Sequence, residues 1–496
     1  MKKKSNLRPF FWTKSIPWVG GKLSDQKFNY YPNSFNWSLK ATESKSSSIP
    51  RRGKRTESYK FNMLRNLNTG FPLFKSMNLE YGREWNNDLS ELRGSKSEIF
   101  SGNFGALTNA NETFSAKWNP KVLNWLKTSF GYSNNYRLQL QRARQLQSND
   151  VSSQNQMNAN LNFNLKKFVS SLTPKKNVKD KPAKRKRASR RTRKKPKQKE
   201  DTTEKSSKKK LTFGDLFTKL SQKLQPVTFN ISKSTNINNP AVFGQPSLAY
   251  KLGFTDNPNL VKDSLIVSEN TRSEFTNITT KSGLNISRKL TVNFSYGQNE
   301  RKSKTSASNL NITKSRDFFP LGERGDEGFP FPTWNLRFSG IEKFSFLSKI
   351  ANSISLEHGF GGKENEKILE TIVRTSDSRI DSVSSEVTSR NYSKSWQPLI
   401  GMTFKFNNSI SGTFRFNQSS SISNFFGVIR EGTLIQNSHN ISVTANYSRR
   451  GGINIPIVFL RDFKLDNQVT FSLTYDNGGS ETLTRTGSNS GVFART

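Results

Sequence analysis

The sequence predicts an all-β protein: part of a large antiparallel transmembrane β-barrel, with short rim helices and one disordered basic loop. Three observations predict this fold. Apolar and polar residues alternate with a period of two in many segments, and the polar half of the alternation is mainly Asn, Ser and Thr. The hydrophobic content is only 32%, yet 11% of residues are aromatic. Because disordered chains are poor in aromatic residues, disorder of the whole chain does not account for this composition.

The alternation comes first, because it predicts the strands themselves. Successive side chains of a strand point to opposite faces, so each segment has one apolar and one polar face. Alternating segments of about 10 residues separated by turns are typical of transmembrane barrels, and about 14 to 18 strands are expected here. A soluble β-sandwich or β-helix also alternates and stays open as an alternative. The clearest apolar sets are Phe35, Trp37 and Leu39; Leu161, Phe163 and Leu165; Val227, Phe229 and Ile231; Leu290, Val292, Phe294 and Tyr296; Ile441, Val443, Ala445 and Tyr447; and Val469, Phe471, Leu473 and Tyr475.

The domain organisation follows from where this alternation stops. Strands of the barrel are predicted in residues 1–172 and again in 226–496, within one domain that we expect to be truncated at both ends. Helical spacing of apolar residues in 211–225 predicts a short amphipathic rim helix. The glycine pairs Gly361-Gly362 and Gly451-Gly452 are expected in turns. No apolar window is long enough for a transmembrane helix, and residues after Met1 lack the apolar core of a signal peptide.

A basic tract separates the two groups of strands. Residues 174–210 hold 19 Lys and Arg against 4 Asp and Glu, a net of +15 out of +42 for the chain. With three prolines and almost no apolar residues, residues 173–210 are predicted to be a disordered loop. The loop is a candidate contact for a partner protein or for lipid headgroups, and a solvated loop without a ligand is the alternative. The candidate residues are Arg185, Lys186, Arg187, Arg190, Arg191, Arg193, Lys194 and Lys195.

Residues suited to catalysis or metal binding are scarce. The two histidines, His358 and His439, lie far apart in strand-like segments, and the chain has no cysteine. No metal-ligand spacing or phosphate-binding loop is present, and no pair of carboxylates can be nominated for acid–base work. We therefore predict no enzymatic activity, no cofactor and no metal site. A hydrogen-bonded structural role is expected for His358.

Several segments, in order along the chain, resemble the SprA family of outer-membrane proteins. The strongest is residues 329–340, read as FPFPTWNLRFSG, followed by 355–360, SLEHGF. Its motif residues are Pro330, Pro332, Trp334, Gly340, His358 and Gly359. A second is residues 119–133 with Trp125 and Tyr132, and further similarity covers residues 31–35, 157–163, 398–402 and 459–473.

The resemblance implies a very large single-chain barrel, the translocon of the type 9 secretion system at the bacterial cell surface, linked to gliding motility. Folded cargo would pass through it, and outer-membrane lipid, other secretion components and capping or plug proteins would be its partners. Two alternatives remain open. One is a basic nucleic-acid-binding protein, favoured by the isoelectric point of about 10.3. The other is a different outer-membrane barrel, such as a porin or a receptor with a plug.

Overall fold

The computed structural model describes most of the chain. It covers Arg8 and residues 26–495, apart from 50, 52, 122, 141–147, 173–220, 267, 305, 307, 322–326, 374–381, 428–430, 450–452, 455–463, 466–468 and 487–493. The basic tract with Arg185 to Lys195 and the first ten residues of the predicted rim helix, 211–220, lie outside this part.

Strands dominate the described residues. The helices are short: α1 (Leu165–Leu172), α2 (Leu248–Lys251) and the 3-10 helices Ser90–Arg93, Lys96–Ile99 and Ile341–Lys343. The strands are β1 (Ser34–Ser48), β2 (Thr56–Phe74), β3 (Met77–Asp88), β4 (Ala106–Trp118), β5 (Leu126–Leu140), β6 (Asn149–Phe163), β7 (Val227–Val242), β8 (Thr271–Asn285), β9 (Leu290–Lys304), β10 (Asn309–Leu321), β11 (Glu327–Pro330), β12 (Thr333–Ser339), β13 (Ala351–Val373), β14 (Ser382–Phe406), β15 (Ile410–Phe425), β16 (Gly432–Arg449), β17 (Ile453–Asn454), β18 (Lys464–Leu465), β19 (Val469–Thr486) and β20 (Ala494–Arg495).

Eighteen of these strands form one antiparallel sheet in which long strands pair with their neighbours in sequence. This up-and-down order is the topology of β-barrels, in which consecutive strands are joined by simple hairpins. Within the described residues, β1 pairs only with β2, and β19 pairs only with β16 and β20. The predicted all-β fold of barrel type is confirmed, and the sheet is open between its first and last long strands in the part of the chain described.

One strand position in the sheet is shared by two strands. The first part of β10 pairs with β9 and β13, and β12 pairs with the same two neighbours further along. Between them the chain leaves the sheet as a hairpin in which the end of β10 pairs with β11. We call the segment from Phe318 to Pro330 the inserted hairpin.

The structure corrects the predictions for Leu165 and for Gly361-Gly362, and it describes only part of the predicted rim helix. Leu165 is the first residue of α1 and does not continue β6, because the strand ends at Phe163 and the Asn164 side chain accepts from the Lys167 N–H at the start of the helix. Gly361 and Gly362 lie inside β13 rather than in a turn, while Gly451-Gly452 falls outside the described residues. Of the predicted rim helix, Ser221 to Lys223 are helical.

The two ends of the strands differ. At one end the connections between β2 and β3, β8 and β9, and β14 and β15 are only a few residues long. We call this the short-turn end. At the opposite end, the β3–β4 and β7–β8 connections fold over the sheet and carry the 3-10 helices Ser90–Arg93 and Lys96–Ile99, and α2, respectively.

Candidate functional site: a two-faced strand wall

The pairing register aligns the apolar residues of the long strands on a single face of the sheet. Partners across antiparallel strands share a face. Trp334 pairs with Phe360, which pairs with Trp396, and Phe414 pairs with Val443, which pairs with Tyr475. We call this the apolar face and the opposite one the polar face.

On the apolar face the residues nearest the short-turn end form a continuous apolar band. It is seven residues long on β16, Ile441 to Tyr447, or about 20 Å at roughly 3.4 Å per residue. Its large residues are Phe35, Trp37, Leu39, Leu67, Leu79, Tyr81, Phe114, Trp118, Phe130, Tyr132, Met157, Leu161, Phe163, Val227, Phe229, Ile231, Ile278, Leu290, Val292, Phe294, Tyr296, Trp334, Leu336, Phe338, Leu356, Phe360, Trp396, Ile400, Met402, Phe404, Phe414, Phe416, Ile441, Val443, Tyr447, Phe471, Leu473 and Tyr475.

Much of this band is left uncovered by the protein. Phe35 is 71% exposed, Leu473 is 70% exposed and Tyr475 is 55% exposed. A water-soluble sheet would bury such a contiguous apolar surface against a second layer. The band is close in height to the apolar belt of about 25 Å that surrounds transmembrane barrels.

The polar face behind the band consists mainly of small uncharged polar residues. On β6 it carries Gln156, Asn158, Asn160 and Asn162, which pair with Ser232, Asn230 and similar residues of β7. On β16 it carries Asn440, Ser442, Thr444 and Asn446. Two shallow cavities on this face, of about 680 and 640 Å³, are lined mainly by such residues. The sheet therefore has one apolar and one mainly uncharged polar surface.

An aromatic cluster marks the edge of the band farther from the short turns, where the inserted hairpin leaves the sheet. Trp334 stacks on Phe360 at 4.4 Å between ring centroids, and Phe360 contacts Trp396 at 4.8 Å. Phe319 of the hairpin lies 5.0 Å from Phe360. The next positions along the apolar face, Arg316 and Lys394, are charged. Aromatic residues at the boundary between apolar and charged surface are typical of membrane interfaces.

The motif residues of 329–359 gather around this hairpin. Pro330 ends β11 and Pro332 precedes β12, so residues without an N–H stand where the chain returns to the sheet. Gly340, with φ of 82°, follows β12 and precedes a 3-10 helix. Gly359 lies in a bulge of β13, where an added Cβ would come within 2.6 Å of the Gln397 carbonyl oxygen.

His358 forms a hydrogen bond between two strands of the sheet. Its Nδ1 lies 2.7 Å from the Leu399 carbonyl oxygen, across the point where both β13 and β14 bulge. The imidazole ring contacts Trp396 at 5.3 Å between centroids. This bond satisfies a carbonyl that the bulge leaves outside the ladder. His439 lies on β16, away from it.

The other two motif residues, Trp125 and Tyr132, are at or near β5 and have separate partners. Trp125 contacts Phe163 and Phe168 at 5.5 and 4.9 Å, so it connects β6 to α1. The Tyr132 hydroxyl donates to the Leu252 carbonyl oxygen at 2.5 Å, and its ring stacks on Phe254. The family-like residues therefore occupy two places, the hairpin cluster and the β5 region.

Beyond the band, the β7–β8 connection covers the apolar face of β4 to β7. We call this covering segment, residues 243–266 with α2, the loop clasp. Tyr250 is fully buried against Tyr136, and the Asn239 side chain donates to the Tyr250 hydroxyl at 2.8 Å. Burial raises the pKa of Tyr250 to about 12. The Asn134 amide donates to the Lys251 carbonyl oxygen at 2.7 Å.

A buried carboxylate fastens the loop clasp. The Glu112 side chain is 5% exposed and lies 3.2 Å from the Lys251 ammonium and 3.3 Å from the Arg83 guanidinium. The Tyr81 hydroxyl donates to its second oxygen at 3.0 Å. The sequence interpretation missed this network, because Glu112 and Lys251 are 139 residues apart and pairing across the sheet is not visible in either segment. The only sign of this network in the sequence is that Glu112 is the single acidic residue of β4.

The described residues offer little that would hold a cofactor. They contain no group of three or more His, Cys, Asp or Glu residues placed to bind a metal ion. No helix among them is both long and apolar enough to cross a membrane. The basic tract is attached to the sheet through α1 after β6 and through β7, so both of its attachments are at the short-turn end.

Comparisons with known proteins give distant structural neighbours only. No family model and no curated protein matches the chain. Similar solved structures include CdiB from Acinetobacter baumannii, at 9% identity and a TM-score of 0.22, covering 89% of this chain and 66% of that one. A ferric enterobactin receptor mutant from Pseudomonas aeruginosa matches at 6% identity and a TM-score of 0.25, covering 90% and 76%. The FrpB iron transporter from Neisseria meningitidis matches at 10% identity and a TM-score of 0.23, and the match covers 91% of this chain and 69% of that one.

Proposed function

We propose that this chain forms part of the wall of an outer-membrane channel that conducts proteins, as the resemblance to the SprA translocon of type 9 secretion implies. The observation that supports it most is the uncovered apolar band, backed by a face that consists mainly of Asn, Ser and Thr. A passive pore needs these two surfaces and no catalytic group.

The backbone suits this role because the sheet satisfies its own hydrogen bonds. Lipid offers no partner to an N–H or carbonyl group, so only helices and strands paired on both sides can cross the bilayer. The long strands from β2 to β16 have neighbours on both sides. On this proposal the edges at β1 and β19 are closed by further strands or by partner chains.

The polar face suits the passage of large cargo because it binds weakly. Asn, Ser and Thr side chains hold water and expose few fixed charges, so a folded protein sliding along them meets no strong site. Nothing in this surface supplies energy or direction. Other secretion components and capping or plug proteins are therefore proposed as partners, with the outer membrane of the cell surface as the location.

Site-directed labelling tests the two-faced wall. The chain has no cysteine, so Val443→Cys on the apolar face and Thr444→Cys on the polar face each introduce a single thiol. In the membrane-embedded full-length protein, a hydrophilic maleimide should label Thr444→Cys much faster than Val443→Cys, because lipid excludes it. The two rates should become equal in denaturant. Equal rates in the membrane, or faster labelling of Val443→Cys, would contradict the proposed orientation.

A second measurement distinguishes protein export from the alternative functions. Cells lacking the full-length protein should accumulate secreted proteins in the periplasm, measured by comparing the periplasmic and extracellular proteomes. Unchanged secretion together with impaired nutrient uptake would favour a porin or receptor barrel. A protein that stays soluble without detergent and binds nucleic acid in a salt-sensitive way would favour the nucleic-acid-binding alternative.

A further inference from the structure

Cations are concentrated at the short-turn end of the sheet. The described residues of 75–76, 117–127, 164–172, 221–226, 281–289, 337–350 and 405–409 contain 14 Lys and Arg residues and a single acid, Glu342. Each of these ranges carries at least one cation, either in the connection or at the adjoining end of a strand. The imbalance is therefore spread around this end and does not come from one loop.

The opposite end has mixed charge. There Glu43 pairs with Lys96 at 2.7 Å, Lys302 pairs with Glu300 at 3.0 Å, and Arg272 pairs with Asp256 and Glu274. Because acids and bases neutralise one another at that end, the wall has a charge gradient along its strands. A field of one sign at one opening attracts ligands of the opposite sign.

The register shows which side of the wall the strand-borne cations face. Lys117, Lys127, Lys281, Arg337 and Lys405 all stand on the polar face, and all are exposed. We call these five residues the cationic mouth. Their neighbours across the strands include Gly131, Asn162, Ser295, Thr291 and Ser411, and Arg337 also pairs with Glu357. Among the described residues, Arg337 forms a long ion pair with Glu357, at 3.9 Å.

We propose that the cationic mouth binds an acidic polypeptide segment at the entrance of the lumen, a refinement that rests on the proposed channel function. Lipid headgroups are a poor fit, because these five side chains lie on the face opposite the apolar band. Single-stranded nucleic acid is a poor fit too, because it is bound through aromatic stacking platforms. The cross-strand neighbours of the five cations are instead glycine and small polar residues, with one acid, Glu357, opposite Arg337.

The spacing of the mouth favours weak, repeated contacts. The five cations stand on β4, β5, β8, β12 and β14, so no two belong to one strand. Exposed ion pairs of this kind are each worth little, and their sum raises the rate of encounter more than it slows release. An acidic segment would be drawn to the opening and passed on without being trapped.

The test compares two quintuple variants of the full-length protein in nanodiscs of zwitterionic lipid. The mouth variant replaces Lys117, Lys127, Lys281, Arg337 and Lys405 with Gln. The matched control replaces five exposed cations of the same face beyond the band, Lys40, Lys60, Arg301, Lys363 and Lys367. The probe is fluorescent poly-L-glutamate, with an oligonucleotide of equal charge and anionic vesicles in parallel, and heat-modified gel mobility reports folding.

The mouth variant should lose about tenfold or more of its affinity for polyglutamate at low salt, while the control changes little. Equal losses in both variants would overturn the proposal, as would unchanged binding by a folded mouth variant. Loss of oligonucleotide or vesicle binding with polyglutamate binding retained would assign the mouth to nucleic acid or lipid instead. Failure of the proposed function is separate, since it shows as reversed labelling of Val443→Cys and Thr444→Cys.

Discussion

The apolar face of this sheet is exposed along one part of its length and covered by connecting segments along the other. Next to the short turns, residues such as Leu473 and Phe471 are 70% and 55% exposed. Farther along the strands, the same face is covered: Tyr136 and Val151 are almost fully buried beneath the loop clasp, and Phe61 and Met63 lie beneath Leu89 and Leu92.

The difference shows that the exposed band is not a failure to fold. The chain has connections that fold back onto its apolar face, and they reach the band at its edge, where Phe254 stacks on Tyr132. The inserted hairpin also folds back onto this face. Its Phe318 carbonyl oxygen lies over Gly362, so closely that a Cβ added to Gly362 would come within 2.1 Å of that oxygen. The covered regions are packed like the core of a water-soluble protein, whereas the band exposes apolar side chains as a lipid-facing surface does.

Removing the buried carboxylate of the loop clasp should have the largest effect. Glu112→Ala leaves the Lys251 and Arg83 cations beside an apolar core without their shared partner. Losing one member of a buried ion pair costs about 3–5 kcal/mol. Denaturant unfolding in detergent should show this loss, and limited proteolysis should show new cleavage within 243–266.

Glu43→Ala is the matched control for that change. Glu43 also lies between two lysines, Lys45 and Lys96, but at an exposed site with 29% of its side chain accessible. Exposed ion pairs contribute little to stability because water and salt screen them, so stability should hardly change. An equal effect of the two substitutions would mean that the loop clasp is not a buried structure.

A charge placed in the band should have the next largest effect. Val443→Arg puts a guanidinium in the middle of the band on β16, at an expected cost of about 2–4 kcal/mol in a bilayer. Thr444→Arg puts the same group one residue away on the polar face, where water reaches it. Folding into vesicles of the first variant should be impaired and that of the second retained. If Thr444→Arg were the more harmful, the two faces would be assigned the wrong way round.

The sequence was sufficient for the strands and their two faces, because alternation is a local property. Phe294, Val443 and Leu473 are on one face as expected, and their register follows from short turns. It was not sufficient where residues distant in the chain meet. Glu112 with Lys251, the sharing of one strand position by β10 and β12, and the passage of the hairpin over Gly362 all depend on pairing between segments.

The smallest effect is expected from alkaline titration of the loop clasp. Burial raises the pKa of Tyr250 above its ordinary value of about 10, to about 12, because the phenolate would lose its hydration. Folding therefore favours the neutral hydroxyl. The stability that Tyr250 contributes is complete below pH 10 and is lost as the pH rises from about 10 to about 12. Subtracting the 295 nm absorbance of Tyr250→Phe from that of the unchanged protein isolates this tyrosine among the 11 in the chain. Its midpoint should be near pH 12, with clasp proteolysis increasing over the same interval, whereas a midpoint near pH 10 would place Tyr250 in water and leave the apolar face beneath it uncovered.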